Sequence, residues 1–366
     1  MAFDGDGLLL VLEPYYGGSH RNFLDNLTAR LGLPFRLLTL PARKWKWRMR
    51  LSAPYFVSHL SADLDPGPIK AILCSTFVDV ALLKSLLPPE LNRIPILVYF
   101  HENQFAYPVQ VEAERDLHFA LSNFTTALAA DRIAFNYAYN RETFLAGAAD
   151  MLKKAPDMPF PPEFIDEVRE KSRVIFPGLD FSLIDQLPDN HKAADDGPPV
   201  IVWNHRWEHD KGPEIFFDAL MTLDRMGKDF GLIVLGQSFS RCPEIFAQAE
   251  EALAGHIIHF GYVEERRTYL KLLSRADLVV STAEHEFYGM AVIEAVRCGV
   301  RPFLPDDLAY PEFFGSEFLY QRDRLVPALI DALGKKRLGH EAGRRMTERF
   351  SWQALLPEFR RWLENE

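Results

Sequence analysis

Cysteine is scarce in this sequence. Its 366 residues hold three, Cys74, Cys242 and Cys298, without any C-x-x-C spacing. Neither a disulfide framework nor a zinc site is supported, and a reducing cytoplasm is the simple expectation. No apolar run approaches the roughly 18 residues that a membrane span needs, and no charged-then-apolar leader opens the chain, so an unexported protein with no membrane partner is expected. Positive charge is not in excess either: 41 Lys and Arg face 51 Asp and Glu, a formal net charge of −10. That balance argues against a general nucleic-acid coat and leaves room for a local basic patch. Apolar residues are plentiful at 48%, enough at this length to fill two cores.

The stretch that organises the chain is residues 281–302, STAEHEFYGMAVIEAVRCGVRP. Residues 276–280 before it read as a buried parallel strand, and the run from Met290 reads as a helix that stops at Gly299. A strand, loop and helix in that order put free backbone N–H groups and the positive end of a helix dipole at a ligand, which suits phosphate. Glu286 and Glu294 frame the helix start. On one helix they would lie about 80° apart at roughly 100° per residue, so they read better as a loop residue and a helix residue. A carboxylate accepts from sugar hydroxyls. One Glu can hold a ribose and the other a hexose, with a diphosphate on the amides of Gly289 and Met290; the competing reading is chance spacing in an acidic chain.

Residues 8–12 read as the first buried strand, ending in Glu13-Pro14-Tyr15-Tyr16-Gly17-Gly18-Ser19-His20. Gly17 and Gly18 let the backbone approach a ligand, although they form no G-x-G-x-x-G fingerprint, and Ser19 is a candidate N-cap for a helix through Leu27. Residues 35–40 give a second strand. After it comes the most basic segment, Arg43-Lys44-Trp45-Lys46-Trp47-Arg48-Met49-Arg50, whose cations and tryptophans suit phosphates and stacked bases. Composition ranks a packed edge first for it, nucleic acid second and an anionic membrane third. Strands at 71–73 and 96–100 follow, the latter ending in His101-Glu102-Asn103-Gln104, at the sheet edge where α/β proteins bind ligands. His101 is a site candidate there. A strand at 131–135 leads to Asn136, Asn140 and Arg141, which are acceptor-side candidates or, for the two Asn, helix caps. Residues 174–176 form another strand.

Residues 188–199 are polar and rich in Pro, Asp and Gly, which marks a linker. The expected division is an N-terminal domain at 1–187, a second domain at 200–345, and a tail at 346–366 whose helix, about 352–362, packs back toward the first. After a strand at 200–202, Arg206 and Lys211 precede a helix with Pro213 in its first turn, and both cations can meet a diphosphate. Strands at 232–235 and 257–260 continue the alternation, with Tyr262 and Val263 a seat for a base. Regular alternation argues two doubly wound parallel sheets of the α/β class.

Two resemblances sharpen this. Glu286 and Glu294, with Tyr288, Gly289 and the Cys298–Pro302 residues, form a pattern similar to the E-x7-E signature of retaining GT-B glycosyltransferases of family 4, in which the first Glu contacts the donor sugar and the second the ribose. The strings EPYYGGSH, LPARKW, RMR, FHENQ, NRETFL and NHRWEHDK resemble the tRNA-queuosine alpha-mannosyltransferases over nearly the whole chain. The resemblance implies a GT-B fold with an interdomain cleft, GDP-mannose as donor, and queuosine at the wobble position of an aspartate tRNA as acceptor. Catalysis would fall to His101, Glu286, Arg206 and Lys211. Gly17, Gly18, Tyr262, Val263, Tyr288, Gly289, Met290 and Glu294 would complete the donor site, and His20, Arg43, Lys44, Trp45, Lys46, Arg48, Arg50, Asn103, Asn140 and Arg141 the tRNA side. Retention is implied without an obvious covalent nucleophile, so a same-face reaction stabilised by two cations and a helix N-terminus is expected, with no metal or other cofactor. Asp4-Gly5-Asp6 and Asp63-Leu64-Asp65 match D-x-D only formally. A lipid or small-molecule acceptor and a nucleotide-sugar epimerase are the alternatives.

Overall fold

A computed structural model describes residues 7–63, 69–106, 117–154, 157–187, 197–238, 242–286 and 288–364. The first D-x-D string, Leu64-Asp65 of the second, Phe287 and 188–196 of the expected linker lie outside them. Two compact units result, one of Met1–Gly178 with Trp352–Glu366 and one of Leu179–Ser351. Among the described residues no helix is long and apolar enough to cross a membrane.

In the first unit six parallel strands, β1 (Leu8–Tyr16), β2 (Phe35–Pro41), β3 (Ile69–Ser75), β4 (Ile96–Phe100), β5 (Arg132–Phe135) and β6 (Ser172–Val174), stand in the order β2-β1-β3-β4-β5-β6. Alternate residues of β1 feed opposite layers: Leu10 and Leu12 join one core, Leu9 and Val11 the other. Both faces of the sheet's centre are covered, which is why β4 and the first half of β1 are continuous apolar runs rather than alternating ones. The chain leaves β1 for β2 on one side and returns to β3 on the other, so a crevice opens at the carboxyl ends of β1 and β3.

Helix Gly18–Leu31 follows β1. Its N-cap is Gly17 and no side chain caps it, so Ser19 does not hold that place. A Cβ on Gly17 would stand 2.5 Å from the Cβ of Ala42, and Gly18 has φ +52°. Close approach to the β2 exit and a left-handed backbone, not ligand contact alone, account for this glycine pair. The basic segment opens a 19-residue helix, Trp45–Asp63, that contains Pro54.

The second unit repeats the plan with β7 (Val200–Asn204), β8 (Gly231–Leu235), β9 (Ile257–Gly261), β10 (Leu278–Val280), β11 (Arg301–Pro305) and β12 (Leu319–Tyr320), in the order β12-β11-β10-β7-β8-β9. All neighbouring pairs are parallel. Here the reversal falls between β7 and β10, and the loops after those two strands face one crevice. Leu179 belongs to this unit, its N–H donating to Phe350 O at 2.8 Å. Asp185 is held there too: Arg297, buried over the ring of Phe181 at 4.5 Å, grips it with two nitrogens while also reaching Glu348 at 2.9 Å.

Helix Trp352–Glu364 closes the first unit. Trp352, Leu355, Phe359, Trp362 and Leu363 enter the layer that holds Phe23, Leu24 and Tyr99. Its end is tied by Arg132, which donates to Trp362 O at 2.8 Å, and Arg360 donates to Leu31 O at 3.0 Å. Phe359 is fully buried between Phe23, Tyr99 and Trp352. Phe359→Ala should therefore destabilise this unit by about 3–5 kcal/mol, read as a lower urea midpoint; a loss under about 1 kcal/mol would show that the helix is dispensable to that core.

Candidate active site

At the β7–β10 crevice two loops are stitched together before any ligand arrives. Asp210 O accepts from the N–H groups of Glu284 and His285 at 2.9 and 3.1 Å, and Thr282 Oγ1 donates to Gly212 O at 2.8 Å. Gly212 has φ +60°, and a Cβ there would stand 2.3 Å from Thr282 O. Only glycine lets the two loops lie this close.

Lys211 is the buried cation of the crevice. Its Nζ donates to His285 O at 2.7 Å, and lies 3.2 Å from Asp210 Oδ2 and 3.4 Å from Glu286 Oε2. Burial by itself would raise the Glu286 carboxyl. Lys211, then His205, and the backbone N–H groups of Tyr288 and Gly289 outweigh burial and hold it at about 2. The N–H groups that open the helix thus serve an anion already, with Glu286 accepting from Tyr288 N at 3.4 Å. His205, 4.0 Å from Glu286, is lowered to about 4 chiefly by burial, so it is neutral at physiological pH.

Gly289, at φ +75°, caps the helix Met290–Arg297, whose first turn carries no acidic residue to compete with a bound anion. One turn in, Glu294 is engaged by both terminal nitrogens of Arg266, one at 3.1 Å to Oε2, and by Tyr269 Oη at 3.3 Å. Asn204, the last residue of β7, donates to that same Tyr269 oxygen at 3.2 Å. Arg266 was not anticipated from sequence. It opens the helix Arg266–Ser274, three residues beyond Val263 and the loop marked as the base seat, and that nearness was the available signal. Tyr262 is largely exposed and Val263 half-buried. Arg206 is 56% exposed and pairs with Glu208 at 3.0 Å, so it stands at the rim while Lys211 stands inside.

The first unit builds a second cluster at the carboxyl ends of β1, β3 and β4. Glu13 is buried, its Oε1 accepting from Tyr15 N at 2.8 Å and Ser75 Oγ at 3.2 Å, while Oε2 lies 3.1 Å from His20 Nδ1. The other ring nitrogen of His20 is 3.6 Å from Glu102. Burial opposes charge on this ring, yet Glu13 and Glu102 raise it to about 10. His101 sits 4.2 Å away, centroid to centroid; burial, then the charge on His20, keep it well below the ordinary imidazole value. The edge therefore presents one imidazolium beside one neutral imidazole.

Asn103 and Asn140 bring no polar atom to the surface. Both are fully buried, with Asn103 Nδ2 donating to Asn140 Oδ1 at 2.7 Å and Asn140 Nδ2 to Phe100 O at 3.1 Å and Asn136 Oδ1 at 2.6 Å. Asn136 donates to His101 O at 2.7 Å. These amides hold the turn that carries His101. None caps the helix Ala138–Leu152, whose N-cap is Tyr137. Arg141 pairs with Glu142 at 2.9 Å and stays partly exposed. In the basic segment Trp45 packs on Phe119 with centroids 5.0 Å apart, Met49 is buried, and Arg43, Lys44, Lys46 and Arg50 are exposed, with Arg48 half-buried.

The depressed Glu286 has a definite linkage sign. A carboxylate whose folded value lies below its unfolded one, ordinarily 4.5, adds stability above that unfolded value and loses it as pH falls toward about 2. Urea midpoints measured from pH 5 to pH 3 should fall less steeply for Glu286→Gln than for the parent; equal slopes would mean that the Lys211 pairing adds nothing to the fold.

Residues 8–179 match the family described as tRNA-queuosine alpha-mannosyltransferase N-terminal, and residues 187–332 match glycosyl transferases group 1. A tRNA-queuosine alpha-mannosyltransferase of Drosophila melanogaster is 34% identical over 318 residues, covering 85% of this chain and 83% of that protein. A GDP-mannose-dependent alpha-(1-6)-phosphatidylinositol dimannoside mannosyltransferase of Mycobacterium tuberculosis is 27% identical over 160 residues, 42% of this chain and 41% of its own. Among solved structures, sucrose-phosphate synthase of Thermosynechococcus elongatus superposes with a TM-score of 0.68 at 16% identity, covering 99% of each chain. Anabaena HepE, solved in complex with UDP-glucose, gives 0.65 at 14% identity, covering 99% of this chain and 100% of its own. These structural likenesses concern the fold, which is GT-B. The sequence relationship goes further: this chain is a glycosyltransferase and belongs to the tRNA-queuosine alpha-mannosyltransferase family.

Proposed function

We propose that this chain moves mannose from GDP-mannose to queuosine at the wobble position of an aspartate tRNA. The observation that carries the donor half is the β7–β10 crevice, where Lys211, Glu286 and Glu294 surround the start of one helix. The names of the Drosophila and mycobacterial relatives support the hexose, the base and the acceptor. In this reading Glu294 accepts from the ribose, Tyr262 and Val263 flank the base, and Arg206, Lys211 and the amides of Gly289 and Met290 meet the diphosphate. Tyr288 backs Glu286, which accepts from the hexose hydroxyls. The basic segment with His20 and Arg141 faces the tRNA, and Gly17 and Gly18 let the β1 exit lie close to the ligand.

The bond from the anomeric carbon to the phosphate oxygen breaks, and a bond to a queuosine hydroxyl oxygen forms on the same face. The hydroxyl proton leaves on the departing GDP. Negative charge grows on the diphosphate as this happens, so fixed cations and helix amides lower the barrier most. Glu286 already draws on the Gly289 amide and on the same Lys211, and the hexose hydroxyls compete for its oxygens. His101, neutral and buried, offers a hydrogen bond without adding a positive charge to a developing oxocarbenium ion.

Incubating queuosine-containing tRNA with GDP-mannose should add the mass of one hexose at the queuosine nucleoside, and UDP-glucose in its place should add none. No gain from any nucleotide sugar would end this reading. Arg206→Ala, at an exposed site, should lower kcat/KM about 10- to 100-fold, or ~1.4–2.7 kcal/mol, with an unchanged thermal midpoint; a parental rate takes Arg206 out of the mechanism. Glu294→Gln should weaken donor binding about tenfold, seen by calorimetric titration with GDP, and parental affinity would move the ribose elsewhere.

A further inference from the structure

The helix Trp45–Asp63 buries a broad face in the first unit. Met49, Ser52, Ala53, Phe56 and Leu60 are covered, and Ser52 Oγ donates to Phe77 O at 3.0 Å. Its outer side carries Lys46 and Arg50 but also a row of large apolar and aromatic side chains that a docked helix does not ordinarily show to water. Trp47 is 66% exposed, Leu51 50% and Tyr55 40%. These positions are four apart, so they align on one face and span about 12 Å at roughly 1.5 Å per residue. His59 extends the line, its ring 4.0 Å from that of Tyr55.

Charge around the stripe has one sign. From residue 26 to residue 62 the sequence contains no Asp or Glu and seven Lys or Arg, within a chain of net charge −10. Lys46 and Arg50 lie to one side of Trp47 on the helix, and Arg43 and Lys44 precede its first turn; all four are exposed. The guanidinium of Arg50 lies 5.1 Å over the Phe119 ring and the Lys46 amine 5.6 Å over Trp45, so neither is spent on a carboxylate in these contacts.

We propose that this stripe is a stacking surface for unpaired nucleotides of an RNA strand. The rings of Trp47 and Tyr55 take base faces, Leu51 packs between them, and Arg43, Lys44, Lys46 and Arg50 neutralise the phosphates alongside. The inference rests on the tRNA acceptor proposed above and adds the mode of grip: a single-stranded loop, not a stem. In an A-form stem the base faces are covered by their neighbours, so a stem could use the cations and leave the rings idle. Ring faces read no base edge, which makes the grip tolerant of sequence. A lipid surface would suit the same cations, but an interfacial helix sinks its wide apolar face into the bilayer. Here the wide face is already buried in protein, and a stripe one residue across remains, with Lys46 and Arg50 beside its first turns.

Binding can be measured, over a range of salt, for the parent chain, Trp47→Ala with Tyr55→Ala, and Lys46→Gln with Arg50→Gln. The probes are an RNA hairpin carrying an anticodon loop, a blunt RNA duplex of equal length, and vesicles of anionic phospholipid. The parent should bind the hairpin about tenfold or more tighter than the duplex. The aromatic pair should weaken hairpin binding about 10- to 100-fold with its salt slope intact, and the cation pair should flatten that slope by roughly 1.4. Unchanged thermal midpoints exclude misfolding. Equal binding of hairpin and duplex, or parental affinity in the aromatic pair, overturns the proposal, as does parental vesicle binding that the aromatic pair abolishes. If the aromatic pair leaves tRNA binding and mannosylation intact, the stripe fails and the acceptor reading stands. If the stripe binds the hairpin while the parent transfers no hexose to queuosine tRNA, the stripe stands and the acceptor reading fails.

Discussion

Lys211 buried beside Glu286 is the interaction on which the second unit's chemistry depends. A buried ammonium is costly unless it is paired and hydrogen-bonded, and here Asp210, Glu286 and His285 O share that task within 3.4 Å. The pair can exist only because the loop after β7 lies against the loop after β10, an approach that Gly212 permits and that Asp210 O and Thr282 maintain. The parallel sheet sets this meeting place. Strand order reverses between β7 and β10, so their exits face each other whatever the loops contain. A cation, a carboxylate and a helix start are thereby assembled before a ligand binds.

The first unit follows the same logic with different chemistry. Its reversal at β1 and β3 gathers Glu13, His20, Ser75 and His101, and the two imidazoles take opposite states: two carboxylates charge the His20 ring, while burial and then that charge keep His101 neutral. Three asparagines behind them supply positioning rather than contact. Asn136, Asn140 and Asn103 pass hydrogen bonds from the helix Ala138–Leu152 to the turn after β4, which fixes where His101 stands.

Much of the fold was legible because a buried parallel strand is a short apolar run. Residues 96–100 are β4 to the residue, and 232–235 miss β8 only at Gly231. What escaped has physical causes. β1 runs on to Tyr16 through Glu13, whose burial depends on His20 and Ser75 and so is invisible locally. β11 begins Arg301-Pro302, an opening that weakens any strand signal. The basic segment hid a helix behind Pro54 and two tryptophans, and its inner and outer faces separate only once Met49 and Phe56 are seen packed. Glu286, Glu294 and Lys211 were read from motif and placement, while Arg266, one of four consecutive charged residues at 264–267, carried no motif and emerged only through its grip on Glu294.

The second unit's chemistry turns on where the donor's diphosphate goes, and a crystal structure of the chain with GDP bound tests that most directly. The phosphates should lie at the start of the helix Met290–Arg297, within hydrogen-bond reach of the Met290 N–H and beside Lys211, with the ribose hydroxyls on Glu294. GDP held instead at the β1–β3 edge of the first unit, with the β7–β10 crevice empty, would contradict it.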